Sequence, residues 1–81
     1  MKIQMTPIEV LTHFENGTLY PLRLKFDGQT IKIQQILSIT EEKLAGNKML
    51  CFKCQSGIGG VLKPFDLKFE VGTSKWFMLK M

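Results

Sequence analysis

Residues 51–54 read Cys-Phe-Lys-Cys, the spacing of a zinc knuckle or of a thiol–disulfide pair. Zinc takes four protein ligands in a structural site, or three and an open position in a catalytic one. The chain has no second cysteine pair. Its other ligand types are His13 and the carboxylates, and no Cys/His spacing completes a set. A redox pair of this spacing normally opens a helix, whose N-terminus stabilises the thiolate. Here the pair lies in an apolar-rich run, Met49 to Gln55, with strand character. Positions i and i+3 of a strand point to opposite faces. Cys51 and Cys54 are therefore expected to part, one filling the core and the other facing outward, with no metal or cofactor held between them. Two sulfurs converging on one side of a turn would restore the metal reading.

The remaining reactive residues form no catalytic set. His13 has no nucleophile or carboxylate tied to it by a motif, and reads as a surface histidine near a strand end. Gly57-Ile-Gly-Gly60 lacks the Lys-Ser/Thr and the following helix of a phosphate loop. Asp66 and Glu70 share one outward strand face with Lys68, an alternation of solvated charges. No enzyme is expected. Two surfaces remain as binding candidates. Arg23, Lys25 and Lys32 would lie together on the outward face of a hairpin, with Arg23 directly opposite Lys32. Like charges facing each other across a strand pair are mildly destabilising. Either Glu9 or another acid on the next strand relieves them, or they splay into water, or they meet a phosphate backbone. No aromatic residue interleaves with them for base stacking. The second surface is C-terminal: Phe77, Leu79 and Met81 would point away from Trp76 and Met78. A strand apolar on both faces is either buried on both sides or binds something. An N-terminal segment carrying Ile3 and Met5 is one candidate cover; a partner protein or a second copy is the other.

The elements that must position these residues follow a period of two. Leu22, Leu24 and Phe26 alternate with Arg23 and Lys25, and Asp27-Gly28 follows. That dipeptide suits a type I′ hairpin turn, which needs positive φ at both central residues. With two loop residues, Phe26 meets Gln29, Leu24 meets Ile31 and Leu22 meets Ile33, so apolar faces apolar. The alternation slips at residues 34–37, where a bulge near Gln34–Gln35 would bend the strand; bent strands allow small barrels to close. Residues 40–47 read as a single helical turn capped by Thr40 and ended by Gly46, or equally as a plain loop. Gly57 to Gly60 reads as a flexible link. Phe65, Leu67, Phe69 and Val71 share a face, and a turn over residues 72–75 pairs Val71 with Trp76. An early strand turns Ile8, Val10 and Phe14 inward, and residues 15–18 turn the chain.

These elements predict an all-β domain over 1–81: a small antiparallel barrel of five to six strands, resembling Src-homology-type barrels, or a strongly coiled meander sheet. No long helix is available to cover a flat sheet. The expected core is Leu22, Leu24, Phe26, Ile31, Ile33, Phe52, Phe65, Leu67, Phe69 and Trp76. Eighty-one residues suffice for one domain and argue against a deep enclosed site. The 22 % of charged residues and 44 % of hydrophobic ones argue against disorder. A net charge of +4 weakly favours acidic partners or nucleic acid. No apolar run approaches a signal peptide or a membrane span, and two cysteines with no leader suit a reducing cytoplasm.

The run from Pro21 through the Asp27-Gly28 turn, the strand at residues 49–56, Phe65 to Phe69, and the terminal Trp76 strand together resemble a family of small bacterial β-rich proteins of unknown function. They are also weakly similar to the short C-terminal β domain of some Y-family polymerase-like mutagenesis proteins. That kinship implies an accessory role in DNA repair and carries no catalytic residue over. The expected function is a non-enzymatic binding module, through protein–protein contact or self-association at the C-terminal strand. The competing expectation is a nucleic-acid-binding accessory using Arg23, Lys25 and Lys32; a zinc or thiol-redox protein is the third.

Overall fold

A computed structural model describes residues 5–79. Four two-residue turns set its register. Asn16–Gly17, Asp27–Gly28, Ala45–Gly46 and Gly59–Gly60 all have positive φ at both positions. Turns of this hand match the right-handed twist of the strands they join. They connect β1 (Met5–Glu15) to β2 (Thr18–Phe26), β2 to β3 (Gln29–Lys32), β4 (Gln35–Leu44) to β5 (Asn47–Ile58), and β5 to β6 (Val61–Glu70). A longer turn, closed by the Ser74 N–H donating to the Glu70 carbonyl at 2.8 Å, leads to β7 (Lys75–Leu79).

All pairings are antiparallel, in the order β3-β2-β1-β7-β6-β5-β4. Each neighbouring pair but one is also consecutive in sequence. The exception is β1–β7, which joins a three-stranded meander to a four-stranded one. The all-β class agrees with expectation. The strand count and the closed barrel do not: the described residues form seven strands, and among them no ladder joins the edges β3 and β4, so the sheet stays open.

The open edges have a local cause. β3 and β4 are one bent run of chain, interrupted at Ile33–Gln34. The Ile33 N–H donates to Leu22 of β2, whereas the next N–H, Gln34, donates to Gln55 of β5. The chain exchanges one partner for another within two residues. Buried Ser56 holds this corner: its hydroxyl donates to the Lys32 carbonyl at 2.6 Å and accepts from the Gln34 N–H at 3.3 Å. The bend was expected one residue later, as a bulge at Gln34–Gln35. A true bulge follows further on, where Leu37 is the extra residue between the Ile36–Cys54 and Ser38–Lys53 pairs.

The inward face buries Leu24, Ile33, Phe52, Cys54, Phe65, Leu67, Trp76 and Met78, with Ile8, Val10, Phe26, Ile31 and Phe69 packed against them. Trp76 lies between two rings, with centroids 5.3 Å from Phe52 and 4.9 Å from Phe69, both tilted. Leu22 leaves the expected core and is 43 % exposed. A bulge pairs Leu11 with Arg23 but Thr12 with Pro21, so Leu22 is the unpaired extra residue and Pro21 takes the buried place. Phe14 is 68 % exposed, because β1 runs on past the core.

Two further expectations are corrected. Residues 40–44 continue β4 and form neither a helical turn nor a loop, since Ala45 accepts the left-handed φ that the Gly46 hairpin requires. Gly57 and Ile58 belong to β5, and only Gly59–Gly60 turns the chain.

Candidate interaction surfaces

The cysteines lie in the middle of β5, where alternation separates them. Phe52, Cys54 and Ser56 are buried on one side, while Cys51 is half-buried on the other beside Lys53. Cys51 sits in a cross-strand row between Thr40 and Lys68. Lys68 reaches across this row and pairs its ammonium with Glu42 on β4. The Lys68 contact, and then the Cys51 thiol, hold the Glu42 carboxyl below its ordinary range. Partial burial, followed by the Glu42 carboxylate, raises the Cys51 thiol. Burial chiefly, with the charge of Asp66, pushes Cys54 up to about 12. Both thiols are therefore shifted away from the thiolate form that a nucleophile uses. Among the described residues no group of three His, Cys, Asp or Glu side chains converges as a metal site. His13 is exposed, its Nε2 3.3 Å from Glu15.

The hairpin of β2 and β3 has the expected register. Arg23 faces Lys32, and Lys25 faces Thr30. On the other side of β2, Glu9 faces Lys25 and Leu11 faces Arg23. One carboxylate thus stands beside the basic group, as charge relief requires. Even so, no described carboxylate forms an ion pair with Arg23, Lys25 or Lys32. The side chains of Glu9, Leu11, Arg23, Lys25 and Thr30 edge a shallow depression of about 300 Å³. Exposed Leu11 within it is an apolar neighbour that the sequence pattern did not single out.

The C-terminal strand presents its two faces as expected, through a different register. Trp76 pairs with Phe69, not with Val71. The four-residue turn moves the pairing by two positions, which preserves the faces. Trp76 and Met78 stay in the core; Phe77 and Leu79 face outward and are half-buried. Phe77 lies between Lys68 and Pro7, and Leu79 lies beside Met5. Met5 flanks this patch as part of the neighbouring strand. Met81 and Ile3 lie outside the described residues. Met49 belongs to the same outward face by alternation with Cys51. It is fully buried yet stands apart from the core cluster, and no pattern in the sequence signals it.

Among the described residues no helix is long and apolar enough to cross a membrane. Comparison with protein-family models, with curated proteins and with solved structures finds no match.

Proposed function

We propose that this chain is a non-enzymatic binding module whose partner is a protein, a second copy included. One observation carries the reading. β7 is apolar on both faces: Trp76 and Met78 are buried in the core, while Phe77 and Leu79 face outward and are half-buried. Outward apolar side chains on such a strand mark a contact site. The outward patch of Phe77 and Leu79 is the first candidate for the contact. Phe77→Lys places a charge at its centre, next to Lys68. The variant is expected to lose a partner, or a self-associated state, that the unaltered chain retains in light scattering and co-purification. Identical behaviour of the two proteins would remove this patch from consideration.

A second reading rests on the Arg23–Lys32 pair. Two cations held opposite each other, with no ion pair to either among the described residues, suit a phosphate backbone. In this reading the chain is a nucleic-acid-binding accessory with a role in DNA repair.

A further inference from the structure

β4 ends the sheet, so one whole side of a ten-residue strand is without a neighbour among the described residues. The two-residue turn at Ala45–Gly46 makes Leu44 and Asn47 a hydrogen-bonded pair. By alternation, Glu42 and Thr40 also direct their N–H and C=O groups toward β5. The N–H and C=O groups of Lys43, Glu41 and Ile39 then point to the open side. Such a row is a template for another strand. Leu37, Ile39 and Leu44 on the same strand are exposed.

We propose that this edge pairs with β4 of a second copy, antiparallel, so that two seven-stranded sheets continue as one. A second copy is self-complementary to this edge in one register, which the edge's own charges select. A two-fold pairing centred on Glu41 or on Glu42 sets carboxylate against carboxylate. One centred on Ile39 runs into the Leu37 bulge after a single step. Centring on Thr40 uses the regular stretch from Ser38 to Glu42: Thr40 meets Thr40, Ile39 meets Glu41, and Ser38 meets Glu42. No like charges then stand directly opposite each other, Glu41 and its copy being diagonal neighbours, and the central threonine pair is a favourable one. The opposite edge, β3, has only four residues, so the assembly closes at two copies and does not grow into a fibre. The inference shares with the proposed function that the partner is a protein; it uses the backbone edge of β4, whose Ser38, Thr40 and Glu42 side chains border one depression with Leu79, and not the outward face of Phe77 and Leu79.

Sedimentation over a range of concentrations, with circular dichroism to confirm the fold, tests it. The unaltered chain should dimerise. Glu41→Ala keeps the backbone N–H and should dimerise too. Glu41→Pro removes an N–H that points to the open side, so the β5 ladder survives while the added strand is blocked; it should be a folded monomer. If that variant fails to fold, charge reversal at Ile39 decides the matter. Ile39→Lys faces Glu41 of the second copy and should dimerise roughly tenfold or more tightly than Ile39→Glu, which sets like charges together at two symmetric positions. Equal dissociation constants for that pair overturn the proposal. So does an unaltered chain that stays monomeric up to its solubility limit. A dimer that survives Glu41→Pro but dissociates in Phe77→Lys also overturns it, while leaving the proposed function in place.

Discussion

Cys54 is the inward cysteine, its sulfur 3.7 Å from the carbonyl of Phe52 on the same strand. Burial raises its pKa from the ordinary 9.0 to about 12. Between those values the folded chain keeps a proton that the unfolded chain has lost. Stability from this source is complete below about pH 9 and declines as pH rises toward 12. Urea midpoints should fall between pH 8 and pH 10.5, and Cys54→Ala should show a shallower fall; equal slopes would mean that Cys54 is not the titrating group. The separation of the two sulfurs was legible because Phe52 fixes the phase of β5 and the spacing does the rest. The exposure of Leu22 was not legible. Pro21 and Leu22 compete for one inward place, and only the pairing to β1 shows that the bulge falls between Leu11 and Thr12. The burial of Met49 escaped for a related reason: alternation assigns a face, and says nothing about whether that face is covered.

At the level of elements, turn chemistry carried most of the information. Asn-Gly and Asp-Gly state their conformation openly. Ala45–Gly46 hides it, because alanine is an unusual residue at φ 51° and the preceding Thr-Glu-Glu-Lys spells a helix start equally well. The corner at Ile33–Gln34 was half legible: the slip in alternation announced a bend, but nothing local announced that Ser56, twenty-odd residues later, would hold it. Ser56→Ala removes the donor to the Lys32 carbonyl and one of two acceptors for the Gln34 N–H. Losing a hydrogen bond to this partly buried carbonyl costs about 0.5–1.5 kcal/mol. The unfolding midpoint of this variant should drop accordingly. A change within error would mean that Gln55 alone holds the corner.

For the molecule as a whole, the net charge of +4 separates the two functional readings. Nucleic-acid binding through Arg23, Lys25 and Lys32 should weaken steeply with added salt, and Arg23→Glu with Lys32→Glu should abolish it. Failure to bind a nucleic-acid column at low salt would end that reading. The β1–β7 ladder has a consequence in time as well as in space. Every other pairing joins strands that are consecutive along the chain, and four of those five close through a two-residue turn. Ile8 meets Trp76 only after nearly the whole chain has been gathered. Hairpins form in microseconds, whereas distant partners wait on the entropy of a long loop. The two meanders are thus expected to take shape early and separately. The search that brings Pro7 and Ile8 alongside Phe77 and Trp76 becomes the slow step, and until it ends both meanders leave an inner edge unpaired.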